Sequence, residues 1–329
     1  MKRIGLVGAG WVTQHHLDGY RALKDRVRVV AIADPSEAAR TRRASEYDIA
    51  ATYPDAASML AAENLDAVDV ACPREFHAPV CLQVAAKGLP ILCQKPLAPT
   101  LALAERLVRD IGGRVRLMVH ENWRFRPHYR AIRRWIDEGR IGRIRQAIML
   151  ILASGFVRDA RGKLPAVERQ LFFATLDRLL VAEAMIHQID TLRFLVGPLR
   201  LDAAHLGRSV PGLKGEDRCA LMMSVPSGPP AVLFADFVAH GRPPLQTDHL
   251  ELLGEEGAIR LSGNVLELFG KRPERVELDL EANYKASYRD TIAHFLDRLE
   301  DGKPFETAPE DNLQTLRIVE EAYAAEGRA

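Results

Sequence analysis

Cysteine is scarce. The 329-residue chain has four, Cys72, Cys81, Cys93 and Cys219. None stands in a Cys-x-x-Cys pair, and no Cys/His spacing suits zinc, so neither a disulfide scaffold nor a metal site is encoded. Cys72 and Cys93 lie in apolar runs that read as buried strands, where the thiol acts as a small hydrophobe. No apolar run approaches the ~20 residues needed to cross a bilayer. Neither sign of charge dominates. Lys and Arg total 45 against 44 Asp and Glu, a net charge of +1, which gives no global drive toward nucleic acid. The arginines around Arg124–Arg145 read as a solvated helix face. The opening Met1-Lys-Arg-Ile-Gly-Leu-Val-Gly8 enters strand texture at once and leaves no room for a signal peptide. The expectation is a cytoplasmic protein with reduced thiols and neither a membrane nor a nucleic-acid partner.

What is present is an ordinary globular balance, 47% hydrophobic and 27% charged, in a chain long enough for two domains. Over the first third, short β-rich apolar runs alternate with helical patterns. Strands are expected at Arg3–Val7, Val27–Ala33, Ala67–Ala71, Ile91–Cys93 and Val115–Val119. Continuous apolar strands between helices imply a parallel sheet covered on both faces, wound by right-handed crossovers. After Asn122 the texture changes. Eight strands between Ile144 and Leu280 follow one another with Gly-, Pro- or Asn-bearing turns, interrupted by one helix at about Val181–Val196. Two further helices are expected at about Tyr288–Glu300 and Pro309–Ala325. The fold class is therefore an α/β Rossmann-type doubly wound parallel sheet over residues 1–121. An α+β domain with a large, mostly antiparallel open sheet follows over 122–329.

Gly8-Ala9-Gly10-Trp11-Val12-Thr13 follows the first strand and opens a helix. Gly8 permits the tight turn, and Gly10 lets the backbone approach a pyrophosphate resting on the helix N-terminus, where Trp11 and Val12 begin the first turn. Thr13 stands where a third small residue would pack the helix more closely, and is expected to push it outward. The second strand ends at Asp34, about 20 residues on, where a carboxylate accepts from the adenosine ribose hydroxyls. Asp34 can also cap the helix that begins at Pro35-Ser36, and the two roles can coexist. A carboxylate there repels a 2′-phosphate, so NAD is favoured over NADP, with Arg40, Arg42 and Arg43 nearby as the counter-indication.

A later strand ends in Gln94-Lys95-Pro96, preceded by Cys72-Pro73-Arg-Glu-Phe-His77 and Ala85-Ala-Lys-Gly88. These segments resemble the glucose–fructose oxidoreductase/inositol dehydrogenase (Gfo/Idh/MocA) family along essentially the whole chain. The family pattern is Glu-Lys-Pro, so Gln94 is a departure. The resemblance implies that Lys95 contacts both the nicotinamide ribose and the substrate hydroxyl, with Cys72, Pro73, His77 and Gln94 also on the cofactor side. Glu183-Ala-Met-Ile-His187-Gln-Ile-Asp190 resembles the family's Asp-x-x-x-His-x-x-Asp helix, with Glu183 in place of Asp. Helical spacing puts the three polar groups on one inward face. By itself that reads as a buried His–carboxylate pair with a structural role. The resemblance implies instead that His187 is the acid/base at the substrate hydroxyl, oriented by Glu183.

Val119-His120-Glu-Asn122-Trp123-Arg124-Phe-Arg-Pro127 matches a further family element, and the resemblance places His120, Asn122, Trp123 and Arg124 at the substrate; Trp123 can also be a core anchor. With Ser154-Gly-Phe156 and Gly215-Glu-Asp217, these motifs look most like the D-apiose dehydrogenase branch. The implied activity is hydride transfer between nicotinamide and the hydroxyl carbon of a sugar, sugar acid or polyol. Lys95 and His187 sit at the reacting oxygen and no metal is needed. Two alternatives stay open: a regulatory or scaffold member altered at Gln94 and Glu183, and a glycoside-processing enzyme that uses NAD transiently. The long Gly155–Leu180 loop is expected to cover the site or to meet another subunit. Apolar strand residues such as Leu221, Leu233, Phe237 and Leu252 suggest an open sheet face and a homodimer or homotetramer.

Overall fold

Apart from the short segment Ala51–Tyr53, the strands of the first third are buried on both faces over most of their length, and the chain supplies the Val, Ile, Ala and Leu that such burial requires. In the computed structural model, which describes residues 1–326, these strands form one parallel sheet. It comprises β1 (Lys2–Val7), β2 (Val27–Ala33), β3 (Ala51–Tyr53), β4 (Ala67–Val70), β5 (Ile91–Gln94) and β6 (Leu117–His120), in the order β3-β2-β1-β4-β5-β6. Between them run α1 (Trp11–Ala22), α2 (Glu37–Tyr47), α3 (Ala56–Ala62), α4 (His77–Ala86) and α5 (Leu101–Ile111). Leu6, Ile32 and Leu92 are fully buried; each such side chain contributes about 1.5–3 kcal/mol relative to exposure. The order reverses between β1 and β4, which opens the crevice at the carboxyl ends of the strands where doubly wound sheets bind ligands. The three-residue β3 is an edge strand that the sequence reading did not anticipate.

Two compact units divide the chain: Met1–Arg126 with Glu281–Leu316, and Pro127–Leu280 with the chain from Arg317 onward. The first thus extends past the boundary expected at residue 121 and takes back a later segment. The final three residues of the expected 122–329 span lie outside the described residues.

In the second unit, α6 (Pro127–Asp137) leads into β7 (Ile144–Leu152). The connection that follows is not bare loop: it holds α7 (Pro165–Arg169) and a 3-10 segment, Leu171–Thr175. A π-helical turn, Leu180–Met185, then runs into α8 (Ile186–Val196). Seven strands follow: β8 (Arg200–Gly207), β9 (Arg218–Ser224), β10 (Pro230–Asp236), β11 (Thr247–Gly254), β12 (Ala258–Ser262), β13 (Val265–Phe269) and β14 (Glu274–Glu277). The sheet order is β14-β13-β12-β11-β7-β10-β9-β8, antiparallel except for the parallel pair β7 and β10. The described residues close with α9 (Leu280–Asp301) and α10 (Pro309–Glu326).

Alternation fixes what each face carries. Leu221, Leu233, Phe237 and Leu252 are at most 2% exposed. This corrects the expectation that they form an open apolar face: they belong to the covered side, against which α8 packs. The open side carries the other parity. Val232 lies between Met222 and Ile148 in one row across β9, β10 and β7, and Met222, Phe234 and Ile148 are exposed. Among the described residues no helix is long and apolar enough to cross a membrane.

Candidate active site

The carboxyl ends of the parallel strands gather most of the first unit's expected site residues. Gly8 follows β1 with φ +111°, and a Cβ there would meet the Ala71 carbonyl oxygen at 2.6 Å, so only glycine fits the turn. Gly10 has no neighbour within 4 Å of where its Cβ would be. That free space above the start of α1 is what a pyrophosphate approaching a helix N-terminus requires. Thr13 does not push the helix away. It is fully buried, and its hydroxyl donates to the Gly8 carbonyl at 3.2 Å. Trp11 is half exposed and sets its ring edge against His15.

Asp34 holds the turn as well as facing it. Oδ2 accepts from the Ala9 amide and Oδ1 from the Ser36 amide, both at 2.8 Å. The N-cap of α2 is Ser36, whose Oγ accepts from the Ala39 amide, so Asp34 is not the cap. A carboxylate offers about four lone-pair sites, and two backbone bonds leave room for ribose hydroxyls. Two of the suspected arginines are committed to the turn's own carbonyls. Arg40 donates to the Asp34 and Pro35 oxygens. Arg43, nearly buried, donates to Glu46 and to the Gly10 carbonyl. Arg42 lies on the exposed side of α2 beside Glu46.

His77 joins two strand-end loops. Nδ1 lies 2.9 Å from the Pro96 carbonyl and Nε2 2.9 Å from the Cys72 carbonyl. Its burial pushes the imidazole below its ordinary 6.5. Cys72, followed by Pro73, has its thiol pushed up to about 12, first by burial and then by Cys81, which leaves it an unreactive thiol.

Gln94 is buried at the end of β5. Its Oε1 accepts from the Lys95 amide at 2.7 Å, and its Nε2 lies 3.0 Å from His16 Nε2. Lys95 follows, half-buried, ahead of a cis bond to Pro96. On the adjacent strand Gln94 pairs with His120, so Glu121 is the next residue beside Lys95. Glu121 is fully buried, and desolvation pushes its carboxyl up to about 7 against the opposing charge of Lys95, the Trp123 amide, Arg124 and Arg126. The sequence reading passed over Glu121. A carboxylate directly after an apolar strand was the signal available.

The stretch that follows is held largely by its own unit. Asn122 Nδ2 donates to Ser287 Oγ at 2.8 Å. Arg124, 4% exposed, donates to the Glu306 carbonyl and to Asp311 at 2.7 Å. Arg126 stacks 3.5 Å over the nearly buried Trp123 ring. His120 stacks on His16 with centroids 4.2 Å apart, beside Tyr288.

In the second unit, His187 is 8% exposed in the first turn of α8, and Glu183 is half-buried within the π-helical turn. The i, i+4 spacing therefore crosses a change of helix type. The next buried pair is Asp190 with Arg193, at 3.9 Å. Gly215-Glu216-Asp217 explains how the wider turn is held. Glu216, fully buried, accepts from the Leu179 and Val181 amides and from the Tyr323 hydroxyl, and that hydroxyl accepts from the Ala182 amide. A Cβ on Gly215 would collide with Leu179 Cβ. Charges in the 155–180 segment pair both within it and outside it: Arg178 meets Glu320, and Asp177 meets Lys214. Arg161 pairs with Asp159 and Glu168, and Arg158 donates to the Gly162 carbonyl. No group of three or more His, Cys, Asp or Glu among the described residues is placed to hold a metal ion.

Two family models match this chain: an oxidoreductase family with an NAD-binding Rossmann fold, over residues 2–118, and the GFO/IDH/MocA C-terminal domain, over 129–260. D-apiose dehydrogenase of Paraburkholderia graminis is 32% identical, over 98% of this chain and 88% of its own. Inositol 2-dehydrogenase of Rhizobium meliloti is 26% identical, over 97% and 95%. Among solved structures, an oxidoreductase from Agrobacterium radiobacter in complex with NAD+, L-tartaric acid and magnesium superposes with a TM-score of 0.90. Its identity is 26%, over 99% of this chain and 96% of that one. The glycine turn, the carboxylate after β2 and the Lys-Pro after β5 thus sit in a chain matched along nearly its full length. It belongs to the Gfo/Idh/MocA family of oxidoreductases and carries that family's NAD-binding Rossmann domain.

Proposed function

We propose that this protein is an NAD-dependent dehydrogenase acting on the CH–OH group of a sugar, sugar acid or polyol. The observation that carries the reading is the gathering of the Gly8 turn, Asp34 and Lys95 at the carboxyl ends of one parallel sheet, in a family whose named relatives oxidise apiose and inositol. NAD, when bound, supplies the hydride acceptor. Gly8 and Gly10 would hold its pyrophosphate at the start of α1, and Asp34 would accept from its ribose. Lys95 polarises the substrate oxygen and lowers the cost of alkoxide charge as the hydroxyl proton leaves. His187 takes that proton, and Glu183 orients the imidazole. The apolar row of Met222, Val232 and Ile148 on the open sheet face supports a homodimer or homotetramer.

A screen of aldoses, sugar acids and inositols for NADH absorbance tests the reading. Saturable, accumulating NADH with at least one of them is the expected result. No turnover with any would leave only a binding protein, and turnover without net NADH would point to transient use of the cofactor. The cofactor assignment has its own check. Hydrogen bonds to a charged group contribute about 1.5–3 kcal/mol, so Asp34→Ala should narrow the preference for NAD over NADP by ~10-fold or more. An unchanged ratio of the two dissociation constants would remove Asp34 from the ribose.

A further inference from the structure

Behind Lys95 runs a buried chain of hydrogen bonds that the proposed chemistry does not yet use. Asp69 Oδ2 lies 2.8 Å from His16 Nδ1 and also accepts from the Tyr20 hydroxyl at 3.0 Å. His16 Nε2 lies 3.0 Å from Gln94 Nε2, and Gln94 Oε1 accepts from the Lys95 amide at 2.7 Å. His16 and Asp69 are completely buried.

The direction of every bond follows from one of them. A backbone amide can only donate, so the Lys95 N–H fixes Oε1 as the end of Gln94 that faces it. The amide nitrogen of Gln94 then points at His16 and donates, so His16 Nε2 must accept. The ring proton is left on Nδ1, aimed at Asp69, an acceptor. A glutamate at position 94 could accept from Lys95 but could not donate to His16. Gln94 thus matches the tautomer that Asp69 imposes.

We propose that His16 and Asp69 are positioning residues for Lys95, acting through Gln94, and that glutamine at 94 is required by the His16 tautomer. The proposal rests on the reading of Lys95 as the residue at the substrate oxygen. A chain anchored in α1 and β4 fixes the backbone from which the Lys95 side chain departs, and small misplacements of a catalytic group are costly.

The test begins with the wild-type protein labelled with 15N at histidine. His16 should show a protonated Nδ1 and an unprotonated Nε2; a protonated Nε2 overturns the proposal. In Gln94→Glu, carboxylates flank the ring on both sides. The other groups facing it are Tyr20 and His15 on α1, His120 on β6 and Tyr288 on α9. His16 should then take up a second proton, visible in the same spectrum. Turnover at saturating NAD should fall ~10-fold. His16→Gln, whose amide can bond to both neighbours, should recover more turnover than His16→Phe, which can bond to neither. If Lys95→Ala abolishes turnover while Gln94→Glu and His16→Phe leave it unchanged, the positioning role is wrong and the Lys95 reading stands. If Lys95→Ala itself leaves turnover unchanged, the Lys95 reading fails and the positioning role with it.

Discussion

Lys95→Ala and His187→Ala should each lower kcat by ~100-fold or more while the dissociation constant for NAD changes little. The expectation for Lys95 comes from electrostatics. As the hydroxyl proton departs, negative charge grows on the substrate oxygen, and a preorganised ammonium favours that charge more in the transition state than in the ground state. Most of the dinucleotide is held elsewhere in this reading, by the Gly8 turn and by Asp34, so binding survives. His187 is chosen by residue type and place. Imidazole ordinarily titrates near neutrality, which suits proton exchange with an alcohol at physiological pH. His187 is almost buried in the first turn of α8, a rigid element beginning where the Glu216–Tyr323 clamp holds the π-helical turn. A drop in kcat with a steady Michaelis constant for the sugar would assign both groups to the chemical step; a rise in that constant alone would assign them to binding. Saturable turnover persisting in both variants would refute the mechanism.

The first unit was legible because its signals are local. Strand, glycine turn and helix follow within a few residues at Gly8, and Asp34 stands one strand later, so spacing alone placed both. His16 was within reach of the same logic. Thr13, His16, Leu17 and Tyr20 are buried along one face of α1, and a histidine on an apolar face needs a partner. The partner could not be read, because Asp69 comes from a strand 53 positions later. Distance in sequence also hid the partners of Asn122 and Arg124, which are Ser287 and Asp311. The π-helical turn escaped for a different reason. A period of 3.6 residues is the only helical signal that a hydrophobic pattern offers, and a single wider turn leaves it almost unchanged. Parity misled in the second sheet. Leu221 and Met222 are adjacent apolar residues on opposite faces, and with no polar alternation between them the sequence does not say which is covered. The start of α9 lies ahead of the Tyr288 expected from sequence because its first turns from Leu280 hold no buried residue before Ser287 and show little apolar period.

Glu121→Gln should make the protein more stable at neutral and alkaline pH and change nothing at pH 4.5. The carboxyl is fully buried, and desolvation raises it from 4.5 to about 7 in the fold. Between those values the folded state holds a proton that the unfolded chain has released. A group raised in this way contributes stability that is fully present below its unfolded value and is lost as pH rises through its folded value. A shift of that size corresponds to about 3 kcal/mol, a large fraction of the stability of an ordinary domain. Glutamine keeps the shape and does not titrate, so the loss disappears. Denaturant unfolding at several pH values between 4.5 and 8 checks this: wild type should weaken relative to the variant across that range, and parallel curves would sink the assignment. The same ionisation places a negative charge beside Lys95, so the wild-type kcat profile should carry a limb near pH 7 that Glu121→Gln removes. Because Glu121 neighbours Lys95 through the β5–β6 register and not through the cofactor turn, NAD affinity should show no such limb.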